Sequence, residues 1–346
     1  MRAALLTGYR APLEIGARPD PTPPEGGVVL RVLACGICRS DWHVWTGSDP
    51  VALPQIPGHE YCGEVVAVGQ GVSQWKAGDR VIAPFILACG HCPACSSGRQ
   101  TICPDQVLPG FTQDGAYAEL VAVPFADTNL TALPPWMEPA LAAAMGCRVT
   151  TAWHALTGRA ALAPGEWLAV FGAGGVGLSV TMLGKALGAK VIVVDVVQEK
   201  LDYAMRLGAE AGVNAASTDA AAAVRDLTGG GADVAIEALG IEETTVSALK
   251  SLGKMGRMVQ VGMPTGAHAN MPIPMDAVYS GQLAVFGTRG MPAWRYPSLL
   301  SLLEASQLDL SPLISRRVRL SDASAELAAF DGPTPPGVAV ITDFLS

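Results

Sequence analysis

Between residues 1 and 145 the apolar positions fall in short alternating or β-branched runs. They lie at Val28–Ala34, Glu64–Val68, Arg80–Ala83 and Tyr117–Val123, each cut off by Gly, Pro or Asp. Period-two alternation between turn residues predicts half-buried strands, and a set of these predicts a partly closed β-barrel. The middle of the chain follows another rhythm. Apolar runs at Trp167–Phe171, Lys190–Asp195, Ala211–Asn214, Asp233–Glu237, Met258–Gly262 and Leu283–Gly287 alternate with helical stretches. Those stretches are Val176–Leu187, Gln198–Leu207, Ala220–Thr228 and Glu243–Leu252. Such alternation predicts a doubly wound parallel sheet with helices on both faces. From about Met291 the chain holds a helix, Tyr296–Ala305, and a last apolar strand, Val338–Ile341, expected to return to the first domain. The expected division is therefore 1–147, 148–289 and 290–346, within the α/β class.

Length and composition agree with two domains. The 346 residues exceed a single average core, and a chain 50% hydrophobic and 16% charged has ample apolar surface to bury. A formal charge of −8 offers no basic face to a nucleic-acid backbone and no attraction to anionic lipid. The apolar runs Ala3–Leu6 and Ala140–Met145 are too short for a signal-peptide core or a membrane span, so a cytoplasmic location is expected.

Eight cysteines change the picture more than any other feature. In a reducing compartment they favour metal or catalytic roles over disulfides. Cys89, Cys92, Cys95 and Cys103 follow the spacing C-x2-C-x2-C-x7-C. Four thiolates in so short a segment can close a tetrahedron around one Zn²⁺ and leave no room for water, which makes such a site structural. An iron–sulfur cluster is the chemical rival. Elsewhere, Cys38, His59, Glu60 and Cys147 offer a second donor set. Two thiolates and an imidazole fill three positions and leave the fourth open for Lewis-acid chemistry. Singly, each has a plain alternative: a buried Cys is commonly a small hydrophobe, and a lone His is commonly a satisfied core residue. Spacing alone does not bring these residues together.

The run Trp167–Phe171 leads into Gly172-Ala173-Gly174-Gly175-Val176-Gly177 and then a helix. In that strand–turn–helix setting the glycines let backbone approach a pyrophosphate, and the helix N-terminus supplies donors to it. The next strand ends at Asp195, whose carboxylate suits ribose hydroxyls and repels a 2′-phosphate. Val196 and Val197 follow where a cation would serve NADP, so NAD is expected.

Gly58-His59-Glu60, the four-cysteine segment and the glycine loop together resemble the zinc-dependent medium-chain alcohol dehydrogenases over essentially the whole chain. The resemblance implies a β-rich GroES-like catalytic domain and a Rossmann NAD-binding domain, two zinc ions per subunit, and a homo-oligomer, with a tetramer favoured. It assigns Cys38, His59 and Cys147 to a catalytic zinc, with Glu60 beside the metal and exchanging with water. Cys35 and Cys62 fall outside that pattern, as buried packing thiols. Ser40 matches the hydroxyl that bonds the substrate alcohol, and His43 the outer proton acceptor. Asp41 matches the carboxylate that orients His59. Thr151 matches a residue packed on the nicotinamide, Arg39 a pyrophosphate contact and Lys200 a ribose contact. The ordinary alternatives are a helix N-cap for Ser40, surface positions for Asp41 and His43, and exposed cations for Arg39 and Lys200.

Trp42, Trp45, Phe85 and Met263 are the candidate walls of a substrate pocket by the same resemblance. One departure is Val338 after Gly337, where the family commonly has Arg or Lys; Arg289 is a candidate replacement. The activity implied is hydride transfer between NAD(H) and hydrophobic primary or secondary alcohols and their aldehydes or ketones. A polyol or sugar dehydrogenase is the alternative within the superfamily, although those enzymes often lack a Cys at the position of Cys147. From a different class stands a non-catalytic zinc and nucleotide-binding protein, which retention of Ser40 and His43 disfavours. The same cysteines speak against a zinc-free quinone reductase.

Overall fold

In the computed structural model, which describes residues 1–332 and 336–345, the N-terminal alternation resolves into seven strands. They are β1 (Arg2–Leu5), β2 (Glu14–Ala17), β3 (Val28–Gly36), β4 (Glu60–Val68), β5 (Arg80–Ile82), β6 (Leu120–Val123) and β7 (Thr131–Ala132). The middle supplies β8 (Trp167–Phe171), β9 (Lys190–Asp195), β10 (Ala211–Asn214), β11 (Ala232–Glu237), β12 (Leu252–Gln260) and β13 (Ala284–Gly287). The tail adds β14 (Ile314–Arg319) and β15 (Val338–Asp343). One unit comprises Met1–Thr150, Gly290–Leu300 and Asp309–Ser346; the other comprises Thr151–Arg289 and Ser301–Leu308.

The first unit carries a sheet in the order β14-β15-β3-β4-β5-β7, with β6 also paired to β3, and a separate β1-β2 pair. All its pairings are antiparallel except β14 with β15. Its core gathers the inward residues of these strands, among them Leu6, Leu30, Tyr61, Val81, Tyr117 and Ile341. Strand β6 is shorter than the alternation predicts, because Ala118 bridges to Ala3 and the Tyr117 carbonyl accepts from Ala4 N. The apolar run at 140–145 is part of a helix, Pro139–Met145, started by proline at its first position.

In the second unit all six strands are parallel, in the order β10-β9-β8-β11-β12-β13. This is the doubly wound order in which a ligand crevice opens where the strand order reverses, here between β8 and β11. Strands β8 and β9 are buried along nearly their whole length, which accounts for their contiguous rather than alternating apolar character. Strand β12 begins at Leu252, six residues ahead of the predicted Met258. Its early residues carry Gly253, Lys254 and Gly256, and the pairing with β11 shifts register between Ala232 and Val234. Among the described residues, no helix is long and apolar enough to cross a membrane.

Candidate metal centres and nucleotide loop

Strands β3 and β4 pair with Gly36 opposite Glu60 and Cys35 opposite Tyr61. That register sets Cys38, just beyond β3, beside His59, just ahead of β4. Two glycines make the approach possible. A β-carbon at Gly36 would collide with Glu60 Oε2, and one at Gly146 would lie 2.8 Å from Glu60 Cα. The second approach delivers Cys147, the next residue, to the same place. One donor atom from each of Cys38, His59, Glu60 and Cys147 lies within 4.8 Å of the others.

The helix Arg39–Thr46 starts at this cluster, and Asp41 ties the two together. Its Oδ2 accepts the Cys38 backbone N–H at 2.9 Å and the Tyr117 hydroxyl at 3.1 Å. Its Oδ1 accepts from Gly58 N at 3.3 Å and from His59 Nδ1 at 2.9 Å. An ionised carboxylate cannot donate, so His59 carries a proton on Nδ1 and turns Nε2 toward the cluster. That Nε2 is buried and has no hydrogen-bond partner. A buried imidazole nitrogen left alone is costly. A metal ion held by this nitrogen and the two thiolates removes the deficit, so the residues fit zinc.

The electrostatics point the same way. Burial alone would lower the His59 pKa, but the neighbouring Asp41 carboxylate overcomes it and holds the value well above the usual histidine range. Cys38, hydrogen-bonded by Cys147 and faced by Arg148, is held well below the ordinary thiol range despite its burial. Burial pushes the Glu60 carboxyl up to about 8, against the opposing charge of Arg148. The Arg148 Nη1 stands 3.3 Å from Glu60 Oε2, with both side chains buried. Residue pattern gives no hint of this arginine, which reads as one cation after a cysteine.

Cys89, Cys92, Cys95 and Cys103 form the other cluster, all four buried. Their sulfurs stand 3.4 Å (Cys92–Cys95), 3.5 Å (Cys103–Cys89), 3.8 Å (Cys92–Cys103) and 3.9 Å (Cys89–Cys95) apart. A disulfide needs about 2.05 Å. A tetrahedron of Zn–S bonds near 2.3 Å has edges of about 3.8 Å. The separations suit a shared metal and none is a disulfide. Cys35 and Cys62 are buried apart from both clusters, and Cys62 Sγ donates to the Pro139 carbonyl at 3.3 Å.

The glycine loop joins β8 to the helix Gly175–Ala186. A β-carbon at Gly177 would run into the Gly172 carbonyl, so only glycine packs the helix this close to the strand. Gly174 faces open space, with nothing within 4 Å of where its β-carbon would be. No side chain caps the helix at Gly174, which leaves its first N–H groups for a ligand. Asp195, at the end of β9, closes the loop from the other side. Its Oδ2 accepts from Ala173 N at 2.8 Å and its Oδ1 from Val197 N at 3.0 Å.

Comparison with known proteins agrees with this arrangement. Residues 24–135 match the alcohol dehydrogenase GroES-like domain, and residues 175–305 match the zinc-binding dehydrogenase domain. An alcohol dehydrogenase of Geobacillus stearothermophilus is 37% identical over 84% of this chain and 85% of its own length. The chain belongs to the zinc-type medium-chain dehydrogenases/reductases. Its relatives in that family differ in substrate. An L-threonine 3-dehydrogenase of Saccharopolyspora erythraea is 33% identical over 92% of both chains. A sorbitol dehydrogenase of Bacillus subtilis is 32% identical over 92% of this chain and 90% of its own. Among solved structures, the alcohol dehydrogenase of Thermus sp. ATN1 superposes with a TM-score of 0.92, at 30% identity over 99% of this chain and 100% of that one.

The remaining candidate residues of this family member lie as follows. Ser40 Oγ is 3.8 Å from Cys38 Sγ, at the rim of the first cluster. His43, on the same helix, is half-buried, and its Nδ1 has no hydrogen-bond partner. Arg39 is exposed, with its guanidinium over the rings of Trp42 and Phe330 at 5.0 and 4.9 Å and one N–H on the Phe330 carbonyl at 2.9 Å. Phe85 packs edge-on to the His59 ring at 5.7 Å. Trp45, in contrast to its expected place in a pocket wall, is part of the first unit's core, with Nε1 on the Ala11 carbonyl at 2.7 Å. In the second unit Thr151 is buried with its hydroxyl unpartnered, Lys200 is half-buried, and Met263 and Arg289 are exposed.

Proposed function

We propose that this chain transfers hydride between NAD(H) and hydrophobic primary or secondary alcohols, with their aldehydes or ketones as the reverse substrates. The observation that carries the reading is the buried, unpartnered Nε2 of His59 in a cluster with Cys38 and Cys147. These three residues would hold a catalytic zinc, with Glu60 beside it, and Cys89, Cys92, Cys95 and Cys103 a structural zinc. Zinc supplies Lewis acidity that eases loss of the alcohol proton, and NAD supplies the hydride acceptor.

The chain's own residues do the rest. Ser40, at the rim of the cluster, takes the proton from the bound alcohol, and His43 receives it beyond. Burial, aided by the charge of Arg39, lowers the His43 pKa and so keeps the ring neutral and able to accept. Asp41 fixes His59 in one tautomer. Gly172, Gly174, Gly175, Val176 and Gly177 receive the pyrophosphate, with Arg39 as a cationic partner. Asp195 and Lys200 receive the adenosine ribose, which favours NAD over NADP. Thr151 supports the nicotinamide. On this reading the first unit is catalytic and the second binds NAD.

The edge strand β13 is the proposed seam for a homotetramer of cytoplasmic location. A polyol substrate is the second reading, favoured by the sorbitol dehydrogenase relative. Metal analysis combined with NADH formation from apolar alcohols, sorbitol and threonine tests the proposal. Two zinc ions per chain and turnover restricted to apolar alcohols support it. Faster turnover of sorbitol or threonine replaces the substrate class, and a single zinc with no turnover removes the catalytic assignment.

A further inference from the structure

Arg148 is tied to all three segments that meet at the first cluster. It follows Cys147 directly in the chain, its Nη2 donates to the Ile37 carbonyl at 3.0 Å, and its Nη1 stands 3.3 Å from Glu60 Oε2. The side chain is 8% exposed and that of Glu60 is fully buried. Neither Glu60 oxygen has a hydrogen-bond partner, whereas Asp41 nearby has four donors. Among the described residues, Arg148 is therefore the ion-pair partner of the buried Glu60.

Charge balance gives this contact its meaning. Two thiolates and a carboxylate set three negative charges against the two positive charges of a zinc ion. Arg148 stands against the Glu60 carboxylate, and a buried charge left uncompensated is expensive. Without the guanidinium, the carboxylate's nearest available cation is the metal. A zinc ion with four protein ligands is closed to substrate, as structural sites are.

We propose that Arg148 is a positioning residue that holds Glu60 at the edge of the donor set and so keeps the fourth coordination position open. The inference rests on the proposed zinc site at Cys38, His59 and Cys147. In the presence of the guanidinium, Glu60 has a partner in Arg148, and its carboxylate is not required as a ligand. Gly36 presents no side chain to the carboxylate, since a β-carbon there would meet Oε2, whereas Gly146 packs against the Glu60 Cα.

The test uses cobalt(II) in place of zinc at the open site of the full-length chain and follows the visible spectrum as imidazole is added. Imidazole probes the fourth position directly, without turnover. In R148M, imidazole affinity falls by at least about tenfold and release of the metal to a chelator slows by a similar factor. R148M/E60Q, which buries no unpaired charge, recovers imidazole binding. R148Q, which keeps a donor for the Ile37 carbonyl without the charge, reproduces the loss and serves if R148M does not fold. Unchanged imidazole affinity and release in R148M or R148Q overturn the role of Arg148 while leaving the zinc site standing. A chain without metal at Cys38, His59 and Cys147 overturns both.

Discussion

Asp41 Oδ1 receives the Nδ1 proton of His59 across 2.9 Å, with both side chains 1% exposed. The bond fixes which ring nitrogen is left for the metal. In Asp41→Asn the amide can offer N–H to Nδ1 and stabilise the wrong tautomer. Zinc affinity at this site is expected to fall by about 10–100-fold. Metal analysis after dialysis against a graded chelator measures it, and the ions at Cys89, Cys92, Cys95 and Cys103 serve as an internal control. The same carboxylate raises the His59 pKa, so protons compete with the metal. Affinity is therefore highest at alkaline pH and declines as pH drops through the raised value.

The proton path gives a second expectation. Ser40→Ala lowers kcat by about 10²–10³-fold with little change in zinc content. On the proposed reading His43 acts in its neutral form; its pKa is lowered, so the acidic limb of the kcat profile is expected below the ordinary histidine value of about 6.5. His43→Gln removes that limb. An unchanged profile in this variant assigns the proton acceptance elsewhere.

On the proposed reading, coenzyme choice rests on the Asp195 carboxylate. Replacing Asp195 with Ser removes charge-assisted hydrogen bonds worth roughly 1.5–3 kcal/mol, so kcat/KM for NAD falls about 10–100-fold. The preference shifts toward NADP, because repulsion of a 2′-phosphate is gone. Since Asp195 also holds Ala173 N–H, the loop loosens as well, and NADP activity rises less than NAD activity falls. The ratio of the two kcat/KM values decides the matter.

Cys103→Ser should remove one zinc per chain and leave the other. Its sulfur is within 3.5–3.8 Å of two partners, and a three-thiolate remnant binds zinc far less tightly. Thermal melting falls by several degrees while the cobalt spectrum of the first cluster persists. Loss of both metals together would show that the two sites are not independent.

These expectations differ in how far the sequence alone supports them. The central strands β8, β9 and β11 are visible because a strand buried on both faces leaves a contiguous apolar run, as Lys190–Asp195 does. The cysteine lobe is visible because all its ligands are local. The first cluster is not, since it depends on the β3–β4 register and on Gly146 touching Glu60, which no periodicity encodes. Strand β14 carries Arg316, Arg317 and Arg319 and lacks any apolar alternation, so it escapes a pattern search. Arg148 escapes for another reason: its weight comes from burial against Glu60, and burial of a cation cannot be read from its neighbours in sequence.

The different reach of the two cysteine clusters has a consequence for biosynthesis. The chain is made from its N-terminus, and the four sulfurs of the lobe are all available once residue 103 has emerged. At that moment Cys147 has not yet emerged. The lobe can thus take its ion from the cellular pool while the nascent chain is still growing, whereas the cluster around His59 must wait for a folded domain. A cell short of zinc would therefore accumulate a half-loaded, folded and inactive protein, which late addition of metal should restore without refolding.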